Sequence, residues 1–473
     1  MKLTFLGGAG TVTGSKYLLT SGTRSIMVDC GLFQGLKQLR LRNWTAPSVP
    51  PRDVDAVVLT HAHLDHSGYL PRFMKAGFTG SVYASAATQD ICALLLPDAG
   101  HLQEEAAKYA NQHSFSKHSP ALPLYTELEA RECLKRFRPV AFAEQVDLGN
   151  GFCVTLQPAG HILGASTVTV RAEGRTIVFS GDLGRADDRI MRPPVRIAEA
   201  DYLVVESTYG NRRHSREDPE NVLGAHLGRA LARQGVVVIP AFAVGRAQAL
   251  LYHIARLKAR RVIPDVPVFL NSPMAIDATR LYTQYAAEHR LNPAQCRASF
   301  SVALQIHTAD ESRCLNSRNG PMIIVSASGM ATGGRVLHHL KAFAPDARNM
   351  ILLPGFQAAG TRGASLAAGA DAIKIHGEYV PVRAEVVKMD SLSAHADYAE
   401  ILDWLEHFRK APRITFVTHG EPAAADELRR RIEENLHWNV RVPEHGEQVS
   451  LGAESPRTRH EGSAHGTVIA PVQ

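Results

Sequence analysis

The chain has 473 residues, of which 45% are hydrophobic and 21% charged, with a formal net charge of +6. These values describe an ordinary globular protein with room for two or three domains, and the charge permits a polyanionic partner without requiring one. No apolar run approaches the ~20 residues that span a bilayer, and the amino terminus lacks the long apolar region of a signal peptide, so we expect no membrane association. The six cysteines are far apart and form no C-x-x-C pair, which predicts reduced thiols and a cytoplasmic protein.

The strongest local feature is a run of metal-binding side chains after an apolar segment at 54–60. This segment has the β-branched residues of a buried strand, and His61, His63, Asp65 and His66 follow it directly. Imidazole nitrogen and carboxylate oxygen both bind zinc, at ~2.0–2.2 Å. A polar loop with accidental histidines is the alternative interpretation, but this density of ligands favours a metal site.

Short strands separated by glycine turns are predicted upstream of this run, and Asp29 ends the last of them. A carboxylate at this place can orient a metal-binding histidine through a hydrogen bond. A turn residue that hydrogen-bonds its own backbone is an equally good interpretation from the sequence alone. Downstream of the run, the pattern predicts helices over about 66–75 and 88–109.

Two further predicted strands end in candidate metal ligands. The segment 154–160 leads to His161, and the segment 175–181 leads to Asp182. Taken singly, each residue is as good a turn residue as a ligand. Repeated strand-then-ligand units after the histidine run instead indicate a sheet whose edge carries metal donors.

From about residue 208 the pattern changes to a charged segment followed by repeated strand–turn–helix units. The predicted strands are 236–241, 266–270, 322–325 and 349–353, and the predicted helices begin near Gly245, Pro273 and Ala331. Strands that alternate with helices favour a parallel, doubly wound sheet. From about residue 371 the pattern returns to strands, and this last part contributes His395 and His419.

The ligand series resembles that of the metallo-β-lactamase superfamily of binuclear metallohydrolases. Three later motifs resemble its β-CASP branch, whose members process nucleic acids. They are the acidic motif with Glu206 in Val-Glu-Ser-Thr, the motif with His395 in Ser-Ala-His-Ala-Asp, and the motif with His419 in Thr-His-Gly. The segments 240–248 and 326–330 are similar to the same branch. All the motifs are present in order along nearly the whole chain.

This resemblance implies an α+β fold, in which a metallo-β-lactamase αβ/βα sandwich is interrupted by an inserted α/β β-CASP domain with a parallel sheet. The implied sandwich comprises residues 1–207 and 391–473, and the implied insertion comprises residues 208–390. The polar, Gly- and Pro-containing composition at the end of the chain predicts a loosely ordered tail after about residue 451.

The resemblance also implies roles for the candidate residues. His61, His63 and His161 would hold one metal ion, Asp65, His66 and His419 would hold a second, and Asp182 would bridge the two. Nitrogen and oxygen donors fit Zn²⁺, with Mn²⁺ or Fe²⁺ as substitutes. His395 is the candidate for stabilising the transition state or protonating the leaving oxygen, with Glu206 as its orienting carboxylate. A histidine that merely starts a helix is the alternative for His395.

The inserted domain is predicted to bind phosphate. Helices starting near Gly245 and Gly329 would direct backbone N–H groups outward, Ser326 and Ser328 would add hydroxyl donors, and Arg246 would add charge, as would Arg335 and Arg362. In the alternative interpretation, the glycines only permit tight turns and the arginines lie on solvated faces.

The resemblance implies metal-dependent hydrolysis of RNA, and a single strand is the expected substrate because a cleft between two domains admits a flexible strand more readily than a stiff duplex. Endonuclease action is expected, and 5′-exonuclease action is left open, as is a homodimer. A small-molecule ester or thioester hydrolase would share the histidine cluster but would not need the insertion or His395. A DNA-acting β-CASP nuclease is a second rival. A non-catalytic RNA-binding scaffold is disfavoured because all seven ligand positions carry competent donors.

Overall fold

The structure, a computed structural model, describes residues 1–114, 116, 118–149, 151–215 and 217–452. The strands are β1 (Lys2–Phe5), β2 (Tyr17–Ser21), β3 (Arg24–Val28), β4 (Ala56–Val58), β5 (Ser81–Ala84), β6 (Phe137–Pro139), β7 (Gln145–Gly149), β8 (Phe152–Pro158), β9 (Ser166–Ala172), β10 (Arg175–Phe179), β11 (Tyr202–Glu206), β12 (Val236–Pro240), β13 (Val268–Leu270), β14 (Leu304–Gln305), β15 (Met322–Ser326), β16 (Met350–Pro354), β17 (Ala372–Ile375), β18 (Glu378–Pro381), β19 (Glu385–Met389), β20 (Ile414–Thr418), β21 (Val440–Arg441) and β22 (Gln448–Ser450).

The helices connect these strands. They are α1 (Lys37–Arg42), α2 (Leu64–Ser67), α3 (Leu70–Lys75), α4 (Ala86–Gln112), α5 (Glu127–Leu134), α6 (Pro219–Ala232), α7 (Arg246–Ala259), α8 (Pro273–Gln284), α9 (Pro293–Phe300), α10 (Ala309–Asn316), α11 (Val336–Phe343), α12 (Arg362–Ala367), α13 (Tyr398–Leu405) and α14 (Pro422–Leu436), with 3₁₀ turns at Pro51–Asp53, Ala286–Glu288 and Asp390–Leu392. Among the described helices, none is long and apolar enough to cross a membrane.

Two sheets face each other to form the sandwich. Within the described residues each has seven strands, in the order β22-β1-β2-β3-β4-β5-β6 and β21-β20-β11-β10-β9-β8-β7. Phe5, Val58, Phe152 and Phe416 are among the side chains of both sheets that pack in one buried core, and burial of each such side chain contributes about 1.5–3 kcal/mol. Helices α3 to α5 pack against the outer face of the first sheet, and α13 and α14 against that of the second.

The third sheet is parallel throughout, in the order β14-β13-β15-β12-β16-β19. Its four inner strands are buried and mainly apolar, such as Val-Val-Val-Ile-Pro in β12, as expected for a sheet covered on both faces, whereas the edge strands β14 and β19 contain exposed polar residues. Side chains of α6 and α7 pack on one face, and those of α11 and α12 pack on the other. The predicted α+β fold with an inserted parallel sheet is therefore confirmed.

The last part of the chain pairs with the first. Strand β20 lies parallel to β11, and β22 lies antiparallel to β1. These pairings support a sandwich built from 1–207 and the segment after 391, a division that stays a prediction. The predicted loose tail falls mainly on 453–473, outside the described residues.

Two helix predictions were wrong in detail. The helix predicted over 66–75 is divided into α2 and α3. The helix predicted to begin near Ala331 begins at Val336, because the Ser328 hydroxyl accepts hydrogen bonds from the N–H groups of Thr332 and Gly333 and Gly334 has a φ of +78°. Gly329 therefore lies in a loop, which we call the serine loop (residues 327–335), and not at a helix start.

Candidate metal centre

The candidate ligands lie where strands of the sandwich end. His61 follows β4, Asp182 follows β10 and His419 follows β20, so all three reach the same edge. The segments that follow β4 and β10 approach each other closely. A Cβ at Gly181, which has a φ of +55°, would lie 2.7 Å from the Thr60 Cβ. Only glycine fits between the strand ends at this position.

One group of ligand atoms comprises three imidazoles and a carboxylate. His63 Nδ1 lies 3.1 Å from His61 Nε2 and 3.3 Å from His161 Nε2. Oδ2 of Asp182 lies 3.4 Å from His61 Nε2 and 3.5 Å from His161 Nε2. These four side chains thus direct donor atoms at one point, all within 4.8 Å of one another.

A second group uses the other oxygen of the same carboxylate. Oδ1 of Asp182 lies 3.3 Å from His66 Nε2 and 3.5 Å from His419 Nε2. Oδ2 of Asp65 lies 3.8 Å from His66 Nε2 and 3.7 Å from His419 Nε2. Asp182 therefore presents one oxygen to each group of donors.

Two atoms of this second group lack ordinary hydrogen-bond partners. His66 Nε2 and Asp182 Oδ1 are buried and have no hydrogen-bond partner among the described residues. Buried polar atoms are normally satisfied, because leaving one unpaired is costly. An imidazole nitrogen and a carboxylate oxygen that are buried without hydrogen bonds fit a metal ion, which both atoms can ligate.

The protonation states also suit a metal. Burial lowers the pKa of His63 to about 3, and burial likewise lowers the pKa values of His61 and His161, so these rings are neutral and can ligate. Burial would lower the pKa of His66 as well, but the carboxylates of Asp182 and Asp29 outweigh it and raise that pKa well above its usual range. Metal binding at the second group would therefore displace a proton from His66.

Asp29 orients the His66 ring of the second group by contacting Nδ1, the nitrogen that faces away from the other donors. It is fully buried, and its Oδ2 lies 2.7 Å from His66 Nδ1, while the Thr60 N–H and hydroxyl both donate to the same carboxylate. The Ser15 hydroxyl, 2.8 Å from Nδ1 of His419, has the equivalent position behind that ring. Such contacts fix the ring so that Nε2 points to the metal side.

His395 and Glu206 lie beside the first group. His395 Nδ1 is 3.2 Å from Glu206 Oε1 and 3.9 Å from Asp182 Oδ2. Glu206 is itself held by the backbone N–H of Leu183, 2.7 Å from its Oε1, and by that of Thr208. Burial would lower the pKa of His395, but the Glu206 and Asp182 carboxylates outweigh it and raise that pKa.

A cavity of about 550 Å³ lies between the sandwich and the inserted domain. His63, Asp65, His161, Asp182, His395 and His419 line its sandwich side, and Arg246, Ser328 and Gly329 line its inserted side. Ser326 does not line it. The Ser326 side chain is buried and its hydroxyl donates to the carbonyl of Asn271, so this predicted phosphate donor is already occupied.

The three arginines named from the sequence differ in what they bind. Arg335 donates to Asn271 Oδ1 and to the carbonyls of Ile306 and His307, and Arg362 donates to backbone carbonyls. Arg246 lines the cavity with a buried Nε that has no partner among the described residues. Burial lowers the pKa of Arg246 to about 10, so it stays charged at neutral pH.

Sequence reasoning missed His214, which lies in the charged segment at 212–218. It is buried, its Nε2 donates to the backbone carbonyl of His395 at 2.9 Å, and its N–H donates to Asp397 Oδ2. A lone histidine among charged residues gives no signal of this contact, because the partner lies 181 residues away in the chain.

The fold and this centre define a metal-dependent hydrolase. Models of three families match the chain: the metallo-beta-lactamase superfamily over residues 9–226, the Beta-Casp domain over 247–366, and the Zn-dependent metallo-hydrolase RNA specificity domain over 379–443. The chain belongs to the metallo-β-lactamase superfamily, in its β-CASP branch, which confirms the resemblance.

Its relatives include "Ribonuclease TTHA0252" of Thermus thermophilus, 37% identical over 89% of this chain and 93% of the relative. The "RNase J-like protein" of Methanocaldococcus jannaschii is 30% identical over 94% and 98%. "Transcription termination factor FttA" of the same organism is 29% identical over 92% and 70%. A crystal structure of a protein of unknown function from Enterococcus faecalis V583 has the same fold, with a TM-score of 0.52 at 17% identity over 95% and 99%.

Proposed function

We propose that this protein is a zinc-dependent ribonuclease that hydrolyses phosphodiester bonds of single-stranded RNA with two metal ions. The observation that carries the proposal is the position of Asp182, whose two oxygens are divided between two groups of donors at the floor of the interdomain cavity. The RNA specificity model and the ribonuclease relatives support RNA as the substrate.

In this proposal His61, His63 and His161 would hold one ion and Asp65, His66 and His419 would hold the other, with one oxygen of Asp182 available to each group. When bound, two divalent ions activate water at neutral pH and offset the charge that develops on the phosphate. Asp29 keeps the His66 ring oriented.

His395 protonates the leaving oxygen as water attacks phosphorus. The bond between phosphorus and the 3′ oxygen breaks, which leaves a 5′-phosphate and a 3′-hydroxyl. Glu206 orients the His395 ring through Nδ1 and favours its protonated form. The position of His395 beside Asp182 and at the cavity wall supports a role as general acid.

Arg246 and the backbone of the serine loop at Ser328 and Gly329 bind the phosphates that flank the scissile one, since the Ser328 hydroxyl itself donates to the carbonyl of Gly333. Arg246, whose buried Nε has no partner among the described residues, is suited to this task because charge-assisted hydrogen bonds between arginine and phosphate are strong. Ser328 stabilises the serine loop through the N–H groups of Thr332 and Gly333, which keeps the backbone of the loop at the cavity.

Single-turnover cleavage tests the proposal. The protein, loaded with Zn²⁺ or Mn²⁺, should cleave an end-labelled single-stranded RNA and leave 5′-phosphate ends, and a chelator should stop the reaction until metal is restored. The DNA strand of the same sequence should be cut much more slowly. Faster cutting of DNA would favour the DNA-acting rival, and hydrolysis of thioesters without RNA cleavage would favour the small-molecule rival.

We expect Asp29→Asn to weaken metal binding at the second group by roughly 10–100-fold, the loss typical for a residue that orients a ligand. An amide cannot accept the His66 Nδ1 proton with the strength of a carboxylate. Metal titration of the apoprotein checks this, and excess metal should restore cleavage. Asp53→Asn, at an exposed carboxylate, is the matched control; equal metal affinity in both variants would contradict the role given to Asp29.

A further inference from the structure

An exposed aromatic ring lies at the metal centre. Phe242 follows β12 and precedes α7, and it is 36% exposed although its neighbours Ala241 and Ala243 are buried. Single exposed apolar side chains are common and need no special role. This one differs because it lines the interdomain cavity and its ring centroid lies 6.0 Å from that of His63.

The ring is held in place by the serine loop. A Cβ at Gly329 would lie 2.8 Å from both Cδ2 and the backbone nitrogen of Phe242, so a side chain at 329 would displace the ring. The carbonyl of Phe242 also accepts a hydrogen bond from the N–H of Ala247 in α7. The ring is therefore preorganised, which lowers the entropic cost of binding a partner on its face.

Other parts of the cavity wall are apolar. Leu95, Ala99 and Leu102 line it from one face of α4, and Met274 and Met330 line it from the inserted domain. Asp98, on the same face of α4, also lines the cavity and accepts no hydrogen bond from the described residues. A carboxylate repels phosphate, so the backbone of a bound strand is favoured on the Arg246 side and the bases near α4.

We propose that Phe242 is a stacking platform for the nucleobase next to the scissile phosphate, with the α4 face as the apolar wall of this base subsite. The inference rests on the proposed function, since it concerns how the same centre holds RNA. Every base presents a π face, so stacking would accept any sequence while requiring a base. The subsite would therefore position the RNA strand without sequence specificity.

The test combines two Phe242 variants with RNAs that carry one abasic nucleotide on either side of the cleavage site. Phe242→Leu, which keeps an apolar side chain but removes the π face, should lower kcat/KM on intact RNA by roughly 5- to 150-fold, as expected for loss of one stacked base. Phe242→Trp should retain activity. Removing the base at the stacked position should slow the wild type by a similar factor and abolish its difference from Phe242→Leu.

Tyr379→Leu is the matched control, because this ring is 75% exposed and does not line the cavity; it should behave as the wild type. If Phe242→Leu slows intact and abasic RNAs equally, or slows neither, the base subsite is refuted while the ribonuclease proposal stands. If the wild type cleaves no RNA, the proposed function fails and the subsite fails with it.

Discussion

Asp182→Asn is expected to lower RNA cleavage by at least about 10³-fold, more than the roughly 10–100-fold expected for a residue that only orients a ligand. Asp182 presents Oδ2 to His61 and Oδ1 to His66, so one carboxylate serves both groups of donors. An amide has one oxygen and no charge, and its NH₂ group would face imidazole nitrogens that are themselves needed as ligands. The bound metal should fall below two ions per chain.

The matched control is Asp187→Asn, five residues further along the chain, where the carboxylate is largely exposed. This variant should retain cleavage and metal content. Circular dichroism and thermal melting separate loss of the centre from loss of the fold. Asp182→Asn with wild-type metal content and near wild-type cleavage would contradict the shared carboxylate.

His395→Ala is expected to lower kcat by roughly 10²- to 10⁴-fold, the range for loss of a general acid, and to leave metal content unchanged. The ring lies beside Asp182 but is hydrogen-bonded to Glu206, so its removal takes away a proton donor and leaves both groups of metal ligands intact. A lower kcat with unchanged metal content distinguishes the role of His395 from that of a candidate metal ligand such as His66 or His419.

Glu206→Gln provides the companion measurement. It should reduce kcat less than His395→Ala does, because the histidine remains but loses the carboxylate that favours its protonated form. An RNA whose leaving oxygen is replaced by sulfur needs no proton donor, so it should be cleaved by His395→Ala at a rate closer to that of the wild type. Loss of metal in His395→Ala would contradict the assigned role and would make His395 a ligand.

The candidate metal ligands were predictable because four of them lie within six residues and two others, His161 and Asp182, follow predicted strands; His419 was assigned through its resemblance to a family motif. The four inner strands of the parallel inserted sheet were predictable because they are mainly apolar runs, whereas the edge strands β14 and β19 have no such pattern. The role of Asp29 could not be decided from the sequence, because a turn residue and a carboxylate that orients a histidine give the same local pattern. Only the 2.7 Å contact with His66 distinguishes the two roles.

The inserted side of the cavity was harder to predict. Ser326 and Ser328 are two residues apart, a spacing that puts both side chains on the same side of an extended segment. The strand ends at Ser326, however, and Ser328 lies in the serine loop, so the alternation does not say which of the two faces the cavity. The helix start moved to Val336 because the Ser328 hydroxyl binds N–H groups that would otherwise begin the helix. His214 depends on a contact with the distant His395, which no local pattern encodes.

Metal analysis of catalytically active protein is the most direct test of the central claim. After removal of loosely bound ions, mass spectrometry of the metal content together with single-turnover RNA cleavage should give two ions per chain at full activity. Titration of the apoprotein should show activity that rises only as the second ion binds. Full activity at one ion per chain, with no further gain on adding metal, would contradict the account.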